Sequence, residues 1–242
     1  MKNSIEVINL SKSYKTKKAV NNISFKIDEN EIVGLLGPNG CGKTTTIGMI
    51  LGLLKPTSGQ VLINGKNIEN NKISILHKMN FISPYIELPK KLTVKQNLIV
   101  YGKLYNIKNL NERINFLSEK LRLGDLLDKI TGELSSGQKN RVSLAKALIN
   151  DPTVLLLDEP TAALDPETAD FIRTFLEKLR EEKKISVLLA SHNMDEVKRL
   201  CNSVMMMKDG NIVDGGNPED LIEKYGQKNL EEVFLEIVRK DK

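Results

Sequence analysis

Residues 37–44 read Gly-Pro-Asn-Gly-Cys-Gly-Lys-Thr and satisfy G-x-x-x-x-G-K-[ST], directly after the apolar run Ile32–Leu36 and directly before a helix-like segment. Glycines at Gly37, Gly40 and Gly42 let the main chain curl so that successive N–H groups point inward, and a following helix adds its positive end. A polyphosphate held this way is gripped chiefly by backbone. Pro38 and Asn39 complete the loop, and Cys41 is a small side chain suited to a tight turn. Lys43 supplies a point charge for β- and γ-phosphates, and Thr44, with Thr45 beside it, offers a hydroxyl to Mg2+.

A second apolar run, 154–157, ends in Asp158-Glu159. Strand ends in parallel sheets open onto the ligand crevice, so both carboxylates are placed to work there. Asp158 is the expected Mg2+ ligand, directly or through water. Glu159 is the expected base that orients or deprotonates an attacking water, because in-line phosphoryl transfer needs a nucleophile opposite the leaving oxygen. Loop and carboxylates together describe a nucleotide hydrolase, a chemistry that kinases, GTPases, helicases and transport ATPases share.

The scaffold for these residues is legible in the apolar pattern. The chain has 242 residues, 40% of them hydrophobic, enough for one large domain or a core with a subsidiary lobe. Runs at 32–36, 154–157 and 187–190 are continuously apolar and each precedes a helix-like segment, the pattern of a parallel sheet with crossover helices. Shorter strands are expected at 5–10, 23–27 and 60–63. Between 85 and 148 the period becomes helical: Leu98, Tyr101, Gly102 and Tyr105, then Ile114, Leu117 and Leu121, with Leu126 and Leu127 continuing the pattern past Gly124. This reads as a helical lobe inserted into the α/β core. Two more helices are expected at 219–225 and 230–240.

Composition narrows the role. The net charge of +5 comes from 36 basic and 31 acidic residues that are interspersed, so nucleic acid is not implied. Cys41 and Cys201 fit neither a disulfide framework nor a zinc site, which points to a reducing cytosol. No apolar run approaches the roughly 20 residues that cross a bilayer as a helix, so a membrane role needs a separate anchor.

Leu134-Ser135-Ser136-Gly137-Gln138, followed by Val142, Leu144, Ala145, Leu148 and Ile149 at amphipathic spacing, resembles the LSGGQ signature of the ATP-binding cassette (ABC) family, with one serine in place of glycine. The resemblance implies an α/β fold: a P-loop NTPase core with a mostly parallel sheet, an N-terminal antiparallel β subdomain and an inserted α-helical subdomain. It implies one domain, with its core at about 1–84 and 149–216, the helical part at about 85–148 and closing helices at about 217–242. Ser135, Ser136 and Gly137 are read as the start of a helix whose hydroxyls and N–H groups form a second anion site, with Gln138 completing it. In the family, two cassettes stack head to tail, and the signature of one closes on the γ-phosphate held by the other until hydrolysis removes it.

Other positions follow the family pattern. Tyr14 resembles the aromatic that stacks on adenine. Asp165, in Ala162-Ala163-Leu164-Asp165, resembles the loop that crosses between cassettes and is also a good N-cap before Pro166. Ser191-His192 resembles the switch histidine at the γ-phosphate, whereas His77 has no assigned role. One position departs: the glutamine the family carries between core and helical lobe is matched by Pro84, which has no side-chain ligand, and Ser83 could stand in only through a bridging water.

The resemblance therefore implies the ATP-hydrolysing subunit of an ABC transporter, with ATP and Mg2+ as cofactors. Its expected place is cytoplasmic, peripheral on the inner face of the cell membrane, as a homodimer or paired with a paralogous ATPase, under separately encoded transmembrane permease subunits. Tyr85 and Leu88 are expected at the docking groove for those subunits. The ending around Tyr225-Gly226 and 229–235 is similar to cassettes of bacterial exporters, so export is the expected direction. A two-cassette ATPase of ribosomes or DNA needs modules that 242 residues do not hold, and an inert clamp is at odds with Lys43 and Glu159.

Overall fold

Continuously apolar strands must be covered on both faces, and here each one divides its side chains between two cores. Ile32 and Leu36, Leu155 and Leu157, and Val187 and Leu189 enter one core, while Val33 and Leu35, Val154 and Leu156, and Leu188 and Ala190 enter the other. A computed structural model describes residues 3–15, 17–84, 86–182 and 185–239.

The first elements are β1 (Asn3–Tyr14) and β2 (Lys17–Asp28), an antiparallel pair, then β3 (Ile32–Leu36) and α1 (Lys43–Ile50). β4 (Ser58–Ile63) and β5 (Lys66–Asn67) complete a four-stranded antiparallel sheet in the order β2-β1-β4-β5. Next come α2 (Ile68–Leu76) and β6 (Met79–Ile82), and then the lobe helices α3 (Val94–Leu104), α4 (Leu110–Lys120) and α5 (Ser136–Leu148). β7 (Val154–Asp158), α6 (Pro166–Glu182), β8 (Ser186–Ser191) and α7 (Met194–Leu200) are followed by the hairpin β9 (Ser203–Lys208) and β10 (Asn211–Gly216). α8 (Pro218–Tyr225) and α9 (Leu230–Arg239) come last. The second sheet runs β10-β9-β3-β8-β7-β6 and is parallel except for β10. The observed fold is thus the expected α/β arrangement of a mostly parallel sheet, an antiparallel β layer and inserted helices.

Two local expectations need correction, and two elements go beyond what was expected. The strands expected at 5–10 and 23–27 are real but form only the middle of β1 and the C-terminal half of β2, twelve-residue strands paired with register shifts. Leu126 and Leu127 do not continue α4: Arg122 takes a left-handed φ of 52°, the Leu123 amide turns back to the Ser118 carbonyl, and 124–126 is a single 3-10 turn. α2 and the β9–β10 hairpin were not anticipated, the hairpin because its inner strand is built from Met205, Met206 and Met207 rather than β-branched residues. Residue 240, expected inside the last helix, lies outside the described residues.

The two sheets meet at the tip of that hairpin. The Gly210 amide donates to the Cys41 carbonyl (2.9 Å), and the Asn21 amide donates to the Gly210 carbonyl (2.8 Å). Gly210 has φ 81°, and a Cβ there would sit 3.1 Å from the Ala19 carbonyl oxygen.

Candidate active site

Register in the parallel sheet brings the chemistry to one edge. Leu36 pairs with Ser191, Asp158 with Ala190 and Ile82 with Leu157, so the chain leaves β3, β8, β7 and β6 on the same side. The glycine loop, His192, Glu159 and Ser83 follow these strand ends, at the crevice where α/β sheets hold ligands.

The glycine loop is shaped from beneath. A Cβ on Gly37 would lie 2.3 Å from the Met207 carbonyl oxygen and 2.6 Å from Cys41 Sγ, so only glycine fits. Gly42, at φ 117°, caps α1 without a side chain and leaves the first amides of the helix pointing into the loop. Lys43 is folded back, its Nζ donating to the carbonyls of Gly37 (2.6 Å) and Pro38 (3.2 Å). Cys41 is buried, and burial pushes its thiol up, which suits the small space-filling part expected of it. Tyr14, Asn39, Gly40, Gly42, Lys43, Thr44, Thr45, Asp158 and Glu159, with Lys17 and Ala19, line a cavity of about 320 Å3. Tyr14 stands at its rim, 47% exposed, with Lys12 Nζ 5.1 Å from its ring centre.

At the opposite wall Asp158 Oδ2 accepts from Thr44 Oγ1 at 3.5 Å. Burial, and then Glu159 beside it, push the Asp158 carboxyl above the usual carboxylate range, while Lys43 and Thr44 pull the other way. A hydroxyl and a carboxylate facing one another suit a hard, oxygen-loving divalent cation. Among the described residues no cluster of three or more His, Cys, Asp or Glu could hold a metal alone, so water and phosphate oxygens would complete the shell. Glu159 takes a left-handed φ of 51°, with its amide donating to Ala190 O at 2.8 Å. Its Oε1 lies 2.7 Å from His192 Nδ1, a hydrogen bond the carboxylate accepts, with the histidine side chain 64% exposed and the glutamate 14%.

The remaining sequence candidates lie elsewhere. Ser135 is the N-cap of α5 rather than its first residue: its Oγ accepts from the Gln138 amide (3.3 Å) while Gln138 Oε1 accepts from the Ser135 amide (3.0 Å). That capping box uses two of the groups expected for anion binding and leaves the amides of Ser136 and Gly137 outside it. None of residues 135–138 lines the cavity above the glycine loop. Ser136 lines a separate cavity of about 210 Å3 together with Ser83, Pro84, Leu88, Pro160 and Ala162 to Leu164. Asp165 caps α6, its Oδ1 accepting from the Thr168 amide at 2.9 Å, and that bond holds its carboxyl below the usual range. Leu88 is buried, so the exposed apolar group of this segment is Ile86 (49%), whereas Tyr85 lies outside the described residues. Ser83 lines the second cavity and not the first.

Sequence reasoning missed the links between these parts. Asn140 of α5 donates to the Pro160 carbonyl at 2.6 Å, and buried Asn80 and Asn150 join β6 to the end of α5 at 3.0 Å. Glu196 is fully buried behind the pair formed by Glu159 and His192. Only its spacing after Asn193 marked it, and that spacing reads as an ordinary helix cap.

The ABC transporter family model matches residues 20–162, from β2 through both carboxylates. The chain belongs to that family. An AAA domain model also matches residues 132–197. The ABC transporter ATP-binding protein NatA of Bacillus subtilis is 34% identical over 91% of this chain and 91% of its own. The bacitracin transport ATP-binding protein BcrA of Bacillus licheniformis is 36% identical over 94% of this chain and 74% of its own. The choline transport ATP-binding protein OpuBA of Bacillus subtilis is 35% identical over 93% of this chain and 60% of its own. A solved ATP-binding subunit of an ABC transporter superposes with TM-score 0.88 at 26% identity, covering 96% of this chain and 98% of that one. A dimeric ATP-binding cassette in a post-hydrolysis state with ADP and Pi superposes with TM-score 0.80 at 27% identity, covering 88% and 98%. The protein is accordingly an ATP-binding, ATP-hydrolysing ABC cassette. Among the described residues no helix is long and apolar enough to cross a membrane.

Proposed function

We propose that this cassette drives transport, in the export direction, through transmembrane permease subunits made as separate chains, and that it works in pairs on the cytoplasmic face of the membrane. The observation that carries the reading is the split of the chemistry: Lys43, Thr44, Asp158 and Glu159 surround one cavity, while Ser135 to Gln138 lie outside it. A second cassette, identical or paralogous, would bring its signature to the open side. The dimeric post-hydrolysis relative supports that arrangement. We read one ATPase domain, with a core at about 1–84 and 149–216, a helical lobe at about 85–148 and closing helices at about 217–242.

In this reading Tyr14 stacks on the adenine, and the amides of 37–44 with Lys43 hold the β- and γ-phosphates. Thr44 and Asp158 hold Mg2+, which supplies positive charge to the phosphate oxygens. Glu159 accepts the proton of the attacking water, and His192 holds Glu159 in place and meets the γ-phosphate. Asp165 faces the partner cassette. Ile86, beside Leu88 and Tyr85, presents the apolar contact for the permease. Support for export comes from the paired helices α8 and α9 and from a relative named as a Nod factor export ATP-binding protein, from Burkholderia lata, 36% identical over 90% of this chain. The choline relative OpuBA makes direction worth a direct assay.

Glu159→Gln tests the site. It should bind ATP as the native chain does, lose at least about a hundredfold in turnover, and accumulate an ATP-held dimer on size-exclusion chromatography. A variant that hydrolyses normally, or stays monomeric with ATP, refutes the reading.

A further inference from the structure

A buried carboxyl surrounded by hydroxyls lies behind the catalytic pair, outside the nucleotide cavity. Glu196, in the first turn of α7, is 1% exposed. Thr161 Oγ1 donates to its Oε1 and Ser191 Oγ donates to its Oε2, each at 2.7 Å. Thr161 comes two residues after Glu159, and Ser191 comes immediately before His192. The chain that leaves β7 with the base is thereby fastened, through one carboxyl, to the chain that leaves β8 with the histidine.

The fastening closes on itself. Ser191 Oγ also accepts from the Asn193 amide (3.1 Å), and Asn193 Oδ1 accepts from the Glu196 amide (3.1 Å). A backbone bond from the Glu159 amide to Ala190 O already joins the two segments, so the carboxyl is a second and independent tie. The charged groups that act on Glu196 are Arg173 of α6, whose Nε is buried with no hydrogen-bond partner among the described residues, and Glu159 itself. Burying a carboxyl is costly, and an apolar side chain of similar volume would be no worse for stability. What an apolar side chain could not do is hold two hydroxyls on separate segments at a fixed spacing.

We propose that Glu196 is a positioning residue for hydrolysis, clamping Thr161 to Ser191 so that Glu159 and His192 keep their 2.7 Å contact. It does not line the cavity above the glycine loop. The inference rests on the roles given above to Glu159 and His192. A small misplacement of reacting groups can cost about a hundredfold in rate, so a loosened clamp shows in kcat and leaves ATP binding alone.

The test uses the purified full chain, measuring ATPase kcat and KM, binding of a fluorescent ATP analogue, and Tm. Glu196→Ala should lose tenfold or more in kcat, with KM and analogue affinity within twofold of native. Glu196→Gln, which can accept from one hydroxyl and donate to the other, should recover kcat to within threefold. If Glu196→Ala does not fold, Thr161→Val replaces it, with an expected three- to tenfold loss of kcat and unchanged KM. A native kcat in Glu196→Ala or Thr161→Val overturns the proposal, as does a loss of kcat that Gln does not rescue or that KM and binding share. Glu159→Gln is assayed alongside. If it turns over normally, the active-site reading fails and the clamp with it; if it is inactive while Glu196→Ala is native, the clamp alone fails.

Discussion

In the role proposed for it, Asp158 would have to stay ionised to hold a cation, yet its surroundings resist the charge. Its carboxyl is buried and next to Glu159, and both push its pKa up. Raised in the folded state, this group costs stability when ionised, a cost present at neutral pH and relieved as falling pH protonates it. Asp158→Asn should therefore stabilise the nucleotide-free protein at pH 7 by about 1 kcal/mol, read as a higher Tm, while abolishing Mg2+-dependent hydrolysis. The gain in Tm should shrink as pH is lowered toward 4, and a variant less stable than native at pH 7 would contradict this account. At this scale most of the cavity was legible, because Gly37 to Thr45, Asp158 and Glu159 are adjacent in sequence to apolar strands that announce themselves. Glu196 was not. A buried acid at a helix start has the same sequence appearance as a solvated one, and only the fold decides which way its side chain turns.

Elements succeed or fail here according to how their ends are written. α3 and α5 start with Thr93…Gln96 and Ser135…Gln138, reciprocal boxes that a T-x-x-Q or S-x-x-Q spacing already suggests. α4 stops at a left-handed arginine, for which the sequence offers no glycine as a warning. α8 is fastened to β10 by one acid: Asp214 Oδ2 accepts from Tyr225 OH (2.6 Å) and from Lys224 Nζ (2.7 Å). Burial works against the charge on Asp214, but Lys224, Tyr225 and the Gly215 amide outweigh it and hold the carboxyl below its usual range. The Asp214 bond in turn pushes Tyr225 up to about 12. The stabilisation from Asp214 is thus full above about pH 4 and is lost as pH falls through its lower folded value, while that from Tyr225 is full below about pH 10 and is lost as pH rises toward 12. Tyr225→Phe should cost about 1 kcal/mol at pH 7 in urea unfolding. It should also remove a step near pH 12 from a phenol absorbance titration; an unchanged titration would show that Tyr225 is not the phenol titrating there.

Across the whole molecule, stability is distributed unevenly. α9 is held by Leu230, Val233 and Ile237 and by Lys208 Nζ on the Ile237 carbonyl (3.2 Å), packed against α7 and α8 rather than threaded into a sheet. Leu230→Ala should remove about 2–5 kcal/mol of that docking, seen as faster amide exchange over 230–239. Protection in β7 and β8 should stay native; if it falls equally, α9 belongs to the cooperative core. The sequence conveyed the central layer well, because β3, β7 and β8, covered on both faces, are apolar runs rich in Val, Ile and Leu. It did not convey the joins between layers, since a single glycine at a hairpin tip carries no periodicity. That glycine, Gly210, bonds Cys41 on one side and Asn21 on the other. One added residue between Asp209 and Asn211 would break the two backbone bonds by which this tip ties Cys41 of the glycine loop to Asn21 of the neighbouring sheet. Epitope tags and fluorescent reporters should therefore be grafted elsewhere, and related chains should vary in length almost anywhere before they do so at this tip.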